Sequence, residues 1–237
     1  VRTGAETGGM AAVSPLKGFT GFGGTWEMQG QELHFRGQPG DKLVSDSTPF
    51  ADGEAGVDVF LPSRDSTNVG FIVRVDRPGP GTDNFDGYEV ALNAAAQVVR
   101  LGRHRHDWQL IKDTPCEVPV AQWIALSVIL HGPTIAVLVN GKEILRHDDG
   151  ELALKEGTVG LRPFQSDAKY RKLWVKTGDV RREFPFEREE KDEQRVSRMW
   201  RLVRRGEIDG SLDILSGRPF TGKQYQRMTF HSGQGEL

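Results

Sequence analysis

The sequence predicts an all-β protein, an antiparallel β-sandwich of the jelly-roll kind. Three observations favour it: short alternating apolar runs, frequent turn signals, and no long helical pattern before residue 179. Glycine occurs 29 times and proline 12 times among the 237 residues, which supplies the turns that many short strands require. Hydrophobic residues make up 37% of the chain, enough for a packed core. We therefore expect roughly twelve short strands over residues 25–178.

The strands are predicted one by one from period-two alternation, because every second side chain of a strand faces the core. Asn140-Gly141 predicts a type I′ hairpin turn, since both residues tolerate the positive φ angles that such a turn needs. In chain order, the predicted strands are 26–35 (a hairpin about Gly30), 42–45, 55–61, 69–76, 87–93, 98–101, 108–111, 123–130, 135–139, 142–146, 158–162 and 171–175.

The chain changes character at both ends of the predicted sandwich. Residues 1–24 are rich in Gly, Ser and Thr and form a lead-in. Residues 179–210 read as a charged linker with an amphipathic helix over 183–205, because Val196, Met199, Trp200 and Val203 follow helical spacing and Gly206 is a plausible stop. Residues 211–237 contain two more strand patterns, 211–215 and 224–231. We interpret them as the truncated start of a second β-domain.

Composition excludes several classes of function. The formal net charge is −2 and the pI about 6.3, so nothing attracts polyanions such as nucleic acid. No window approaches 18 uninterrupted apolar residues, so a membrane span is not predicted. Cys116 is the one cysteine and cannot form an internal disulfide. The first residues lack the shape of a signal peptide, which by itself does not argue against secretion.

Polar residues on three neighbouring predicted strands suit sugar recognition. If strands 69–76 and 87–93 pair, Arg74 and Glu89 lie on one polar face, and Arg100 on the next strand joins them. Guanidinium and carboxylate groups bracket vicinal hydroxyls in a fixed geometry. The alternative is a cross-strand salt bridge on a solvated face.

A polar run after this face adds His104, His106 and Trp108. Trp108 and Tyr88 are possible platforms for a sugar ring, because aromatic faces stack on its apolar side; alternation favours the core for Tyr88. His-x-His can also ligate a metal, but no matching cluster occurs elsewhere in the sequence, and a solvated loop is the simpler interpretation.

The loop at residues 78–86 offers the one candidate cation site. Asp83, Asn84 and Asp86 resemble a set of oxygen ligands for a structural calcium ion, and turn formation explains them equally well. We predict no other cofactor.

Signals of catalysis are few. Hydrolysis of a glycoside needs two acids about 5–9 Å apart, and Glu89 is the carboxylate that the pattern places on the candidate face. No nucleophile elbow, phosphate-binding loop or zinc motif is present.

Residues 20–177 resemble concanavalin A-like lectin and glucanase domains. The resemblance rests on WEMQGQEL at 26–33, KLVS at 42–45, NVGF with Arg74, GYEV at 87–90, Trp123, VNGK at 139–142 and GTVGL at 157–161. The central motifs are similar to a branch that includes 3-keto-disaccharide hydrolase-like domains and the fructan-binding modules of levanases. In those modules the strands equivalent to those of Arg74 and Glu89 hold sugar, so the resemblance implies this role for both residues.

The tail resembles part of bacterial family 51 arabinofuranosidases, through VSRMWR at 196–201, RPFTGKQYQR at 218–227 and SGQGE at 232–236. In those enzymes a separate (β/α)₈ barrel carries two catalytic glutamates. The resemblance implies that this chain is a piece of a larger bacterial hydrolase, secreted or periplasmic, whose partners are plant cell-wall carbohydrate and its own catalytic domain.

Three hypotheses follow. The first is a non-catalytic carbohydrate-binding module that raises the local substrate concentration for a tethered enzyme. The second is a hydrolase of the keto-disaccharide type that uses Glu89 or a nearby acid. The third is a structural domain that packs on the catalytic barrel and binds no sugar.

Overall fold

A computed structural model describes residues 16–164 and 167–187, together with the backbone of residues 205–216 and 224–236. Almost all regular structure in these ranges is β-strand. In chain order, the strands are β1 (Phe19–Phe22), β2 (Thr25–Gln29), β3 (Glu32–Arg36), β4 (Lys42–Ser45), β5 (Gly53–Phe60), β6 (Val69–Asp76), β7 (Asp86–Asn93), β8 (Val98–Arg105), β9 (Trp108–Pro115), β10 (Trp123–His131), β11 (Thr134–Val139), β12 (Lys142–Asp148), β13 (Thr158–Pro163), β14 (Ala168–Thr177), β15 (Val180–Phe184), β16 (Arg205–Ser216) and β17 (Gln224–Glu236). One short 3₁₀ turn, Gly150–Leu152, follows β12.

The first fifteen strands build two antiparallel sheets. The seven-stranded sheet has the order β1-β4-β13-β6-β7-β8-β9, and the eight-stranded sheet has the order β12-β11-β10-β5-β14-β3-β2 with β15 beside β14. The alternating apolar side chains of both sheets form one buried cluster, to which β6 contributes Phe71 and Val73 and β5 contributes Val57 and Val59. The predicted antiparallel sandwich is confirmed.

Two predicted hairpins show why the local sequence gives this fold. Strands β2 and β3 pair about a turn that contains Gly30 at φ 65°, and β11 and β12 pair about Asn140 at φ 50° and Gly141 at φ 79°. In the β11–β12 turn, positive φ angles at both central residues match the right-handed twist of the flanking strands. The glycine and asparagine in these turns therefore fix the register of their hairpins.

The chain divides into two compact units, residues Val1–Glu187 and Arg188–Leu237. In the second unit, β16 and β17 pair as one antiparallel hairpin from Arg205↔Glu236 to Ser216↔Gln224. The two predicted strands of the tail are therefore present and are longer than predicted.

The predicted helix over 183–205 is wrong at both of its described ends. Glu183 lies in β15, and Arg205 and Gly206 begin β16, so Gly206 is not a helix stop. Backbone pairing with β14 and β17 overrides the helical spacing at these positions. The middle of the predicted helix, residues 188–204, lies outside the described residues. Within the described ranges, no helix has the length and apolar character to cross a membrane.

Candidate functional site

The outer face of the seven-stranded sheet, the face turned away from the core, carries buried polar side chains at its centre. Val90 and Leu101 lie in the core, so their neighbours on β7 and β8 point outward. Register then places Glu89 between Ile72 and Gly102, and Arg162 of β13 beside Gly70.

Glu89, Arg162 and His104 form a buried ionic cluster on this face, which we call the outer-face cluster. Glu89 Oε2 accepts one hydrogen bond from Arg162 at 2.5 Å and lies 3.1 Å from His104 Nε2. The three side chains are 1%, 2% and 0% exposed. Burial alone would raise the pKa of Glu89, but the Arg162 guanidinium and His104 outweigh it and hold the pKa below its usual value.

Asp83 joins this cluster from the loop between β6 and β7. One of its oxygens, Oδ1, lies 3.2 Å from the Arg162 guanidinium and 3.4 Å from His104 Nδ1. The His104 ring stacks on Phe85 with centroids 4.2 Å apart. The Asp83 side chain is 32% exposed, so this carboxylate connects the buried cluster to the surface.

A pocket of about 390 Å³ opens above the cluster, and we call it the outer-face pocket. Polar and aromatic groups share its wall. The lining residues are Thr67, Asn68, Thr82, Asp83, Asn93, Arg100, Trp108, Arg162 and Phe164. Two guanidinium groups, two amides, one carboxylate and two aromatic rings thus face one small space, the mixture that holds a polar ligand with one apolar side.

Arg100 is fixed at the rim of this pocket. Its Nε and Nη2 atoms donate to the two oxygens of Asp113 at 2.8 and 2.7 Å, and Nη1 donates to Asn68 Oδ1 at 3.1 Å. A bidentate pair of this kind holds a guanidinium in one orientation. The Asp113 carboxylate raises the pKa of Arg100 above its usual value, so the side chain stays charged.

Trp108 forms the aromatic wall above Gly102. A Cβ atom placed on Gly102 would lie 2.7 Å from Trp108 Nε1, so the indole rests directly on the glycine backbone. The Arg100 guanidinium lies 6.0 Å from the indole ring. Trp108 is 38% exposed, which leaves ring surface for a ligand.

The prediction that Arg74 shares a face with Glu89 is wrong. A bulge interrupts the pairing of β6 and β7 between Val73 and Asp76, and Arg74 has a φ angle of 49°. An extra residue reverses the facing of the side chains after it. The Arg74 guanidinium donates to the carbonyl groups of Ala51 at 2.9 Å and Leu154 at 2.6 Å and is 1% exposed.

A second buried cluster, formed by Tyr88, Arg103 and Asp149, lies near Arg74. The Tyr88 hydroxyl donates to Asp149 Oδ2 at 2.7 Å, and Arg103 contacts both Asp149 oxygens at 2.8 and 2.6 Å. The Leu154 amide donates to the Tyr88 hydroxyl at 2.9 Å. Burial and the bond to Asp149 raise the pKa of Tyr88. Tyr88 is therefore a core residue, as alternation predicted, and does not stack on a ligand.

His106 lies outside the pocket, and the predicted calcium ligands have separate partners. His106 Nδ1 is 2.8 Å from Asn84 Oδ1. Asp83 faces Arg162, whereas Asp86 pairs with Arg77. In the part of the chain that the structure describes, no three His, Cys, Asp or Glu side chains are grouped to hold a metal ion. Calcium at this loop stays an untested prediction.

Arg162 and Asp83 are the charged residues of this pocket that sequence reasoning did not place on the polar face. Alternation contained a signal for Arg162, because Val159 and Leu161 point into the core and Arg162 must then point outward. Asp83 was interpreted only as a cation ligand or turn residue, since its distance from β13 in the sequence hides the contact. Of the predicted residues, the structure brings Glu89, Arg100, His104 and Trp108 together.

Comparison with known proteins supports the fold. The chain is similar to the carbohydrate-binding module CBM66 from Bacillus subtilis, with a TM-score of 0.60 and 17% identity over 68% of this chain and 97% of that one. It is also similar to a Bacillus subtilis protein of unknown function with a galectin-like fold, with a TM-score of 0.55 and 18% identity over 66% of this chain and 87% of that one. No curated protein matches the sequence.

A family model matches most of the sandwich. The model of the 3-keto-alpha-glucoside-1,2-lyase-like domain aligns with residues 14–176, a range that includes every strand of the outer-face pocket. The chain therefore belongs to the family of 3-keto-alpha-glucoside-1,2-lyase-like domains.

Proposed function

We propose that this chain is a carbohydrate-binding module and that the outer-face pocket holds a sugar. The observation that carries the proposal is the convergence of Arg100, Arg162 and Asp83 with the Trp108 ring on one pocket of about 390 Å³. Charged groups in fixed positions bind vicinal hydroxyls, and an aromatic face covers the apolar side of the ring. The fold shared with a carbohydrate-binding module supports the same conclusion.

The charges in the pocket favour a neutral sugar. Arg100 is paired with Asp113, and Arg162 is paired with both Glu89 and Asp83. Because each guanidinium already faces a carboxylate, an anionic sugar would gain little from either. We expect weak affinity, since a small polar ligand on an open face buries little area.

Calorimetry with matched tryptophan variants tests the proposal. Wild-type protein is titrated with arabinotriose, xylotriose and a fructan trisaccharide. Loss of one ring contact costs about 1 kcal/mol, so Trp108→Ala should weaken binding roughly fivefold. Trp174→Ala is the control, because this tryptophan lies on the other sheet, where Arg181 is 4.1 Å from its ring. Binding of no saccharide, or equal binding by both variants, would contradict the proposal.

A second function, elimination on a 3-keto-glucoside, is favoured by the chain of contacts from Asp83 through His104 to Glu89. The 3-keto group makes the proton at C2 acidic. Asp83, partly exposed in the pocket, would take that proton, and the C2–H electrons would form a C1=C2 double bond as the C1–oxygen bond breaks. The protonated Asp83 would then give the same proton to the leaving oxygen. His104 is fully buried and would position Asp83.

Assay of product release from a 3-keto-glucoside separates the two functions. The lyase predicts turnover by wild type and its loss in Asp83→Asn. A module without activity predicts sugar binding and no turnover by wild type.

We also propose that the module serves a secreted or periplasmic bacterial enzyme that degrades plant polysaccharide, an arabinofuranosidase. This proposal rests on the tail motifs alone, of which residues 196–201 and 218–223 lie outside the described residues. The coding sequence beside these 237 residues tests it: a (β/α)₈ barrel with two catalytic glutamates would support it, and a different catalytic domain would contradict it.

A further inference from the structure

We propose that Lys42 is a positioning residue of the outer-face pocket, and that its ammonium group holds the loop that carries Thr82 and Asp83. The inference rests on the proposed function, because it assigns a role within the same sugar site. Lys42 is not among the residues that line the pocket. Its effect on a ligand is exerted through the loop over residues 77–85.

The Lys42 side chain is fully buried and points at this loop. It lies on β4 with 0% exposure, and its Nζ atom donates to the carbonyl groups of Gly81 at 2.6 Å and Gly40 at 3.4 Å. The aromatic rings of Phe85 and Phe22 lie 5.4 and 5.7 Å from Nζ. One ammonium group therefore links the loop before β4 to the loop before β7.

The same two loops are in direct contact beside the pocket. Gly40 has a φ angle of 95°, and a Cβ atom placed there would lie 2.3 Å from the Thr82 Cα atom. Arg162 donates to the Thr82 carbonyl at 3.3 Å and to Asp83 Oδ1 at 3.2 Å. The loop thus receives hydrogen bonds from two buried cations. Lys42 supplies the bond to Gly81, which directly precedes the pocket residues Thr82 and Asp83.

Energetics support a positioning role for Lys42. Burial, followed by the nearby Arg162 charge, lowers the pKa of Lys42 to about 8, although Asp83 and Asp41 act in the opposite direction. The lowered pKa means that the charged form is unfavourable in this place. Replacing Lys42 by an apolar side chain removes the cost of burying a charge, but it also removes a charge-assisted hydrogen bond to the Gly81 carbonyl, so the two effects on stability oppose each other. The contribution of Lys42 is then the position of the loop.

Lys42→Met in the full chain tests the inference at pH 7, where wild-type Lys42 is charged. Methionine has a similar length and fills the space between the two rings, but it donates no hydrogen bond to Gly81. We expect hydrogen exchange in residues 78–85, measured without sugar, to rise at least tenfold. Affinity for the saccharide that binds wild type should fall at least fivefold, and the urea midpoint should change little, because the gain from removing a buried charge offsets the lost hydrogen bond.

Lys169→Met is the matched control. The Lys169 ammonium also lies over an aromatic ring, 5.0 Å from Phe60, but on the other sheet. This variant should change neither loop exchange nor affinity. Unchanged exchange at residues 78–85 in Lys42→Met would overturn the inference, and so would a Lys42→Met protein that is unfolded or loses protection throughout both sheets. If no saccharide binds wild type, the proposed function fails, and loop exchange still decides the role of Lys42.

Discussion

The molecule contains two buried arginine–carboxylate clusters that differ in how completely they are satisfied. In the Tyr88 cluster, formed by Tyr88, Arg103 and Asp149, both Asp149 oxygens accept hydrogen bonds, and His147 lies 3.3 Å away as a further partner. In the outer-face cluster, Glu89 Oε1 and Arg162 Nε are buried and bond to no described group. An unsatisfied buried polar atom costs about 1–3 kcal/mol.

We interpret the first cluster as structural and the second as support for the proposed sugar pocket. A closed network contributes stability and offers nothing to a ligand, whereas a buried polar atom without a protein partner is uncommon and needs an explanation. The outer-face cluster also reaches the surface through Asp83, which lines the outer-face pocket together with the buried Arg162. Glu89 therefore supports the pocket from beneath, and Asp149 supports the fold.

The largest expected effect is that of Glu89→Gln. The change leaves the Arg162 guanidinium buried with only the partly exposed Asp83 as a charged partner. Breaking a buried pair from one side costs about 3–5 kcal/mol, so the free energy of unfolding should fall by that amount in urea denaturation. Sugar binding by the folded protein should be lost, because Arg162 is no longer held. A loss of stability below about 1 kcal/mol would show that the Glu89–Arg162 ion pair stabilises the protein no more than an ion pair on the surface does.

Asp149→Asn is the matched change in the Tyr88 cluster, with a somewhat smaller effect. The amide still accepts from Tyr88 or Arg103 but removes the charge, so we expect the free energy of unfolding to fall by about 2–3 kcal/mol. Calorimetry on the folded variant should give the wild-type affinity for sugar. If the affinity falls as it does in Glu89→Gln, the two clusters do not have separate roles.

Sequence alternation predicts most strands of the sandwich and part of the outer-face pocket. Alternation placed Glu89 and Arg100 on the outer face and Tyr88 in the core, because β7 and β8 have no irregularity at these positions. It failed at Arg74, since the residues around it continue the apolar alternation while the backbone bulges. A bulge in the middle of a regular pattern leaves no mark in the sequence, so the arginine that the resemblance implied as a sugar ligand was assigned to the wrong face.

The other errors arise from contacts between distant parts of the chain. Asp83 and Arg162 are 79 residues apart in sequence, and their pairing depends on where the β6–β7 loop folds over β13. The charged neighbours of His104 predict a polar loop, yet His104 lies in β8 opposite Gly87. The missing side chain of Gly87 leaves room for the Phe85 ring, which stacks on the imidazole. Such contacts depend on strand order, which local patterns do not determine.

The smallest expected effect is a pH dependence of the stability difference between wild type and Asp149→Asn. Burial alone would raise the pKa of Asp149, but hydrogen bonds from Tyr88 and Arg103 hold it below its ordinary value of 3.8. As the pH falls, the Asp149 carboxyl group is protonated in the unfolded chain before it is protonated in the folded protein, because its pKa is higher in the unfolded chain. The stability that Asp149 contributes is therefore complete at higher pH and is lost as the pH falls through the lowered pKa of the folded protein. The variant has no such carboxyl group, and the difference in urea midpoint should therefore narrow from pH 5 to pH 3. A difference that stays constant or widens would mean that the Asp149 charge is not what stabilises the Tyr88 cluster.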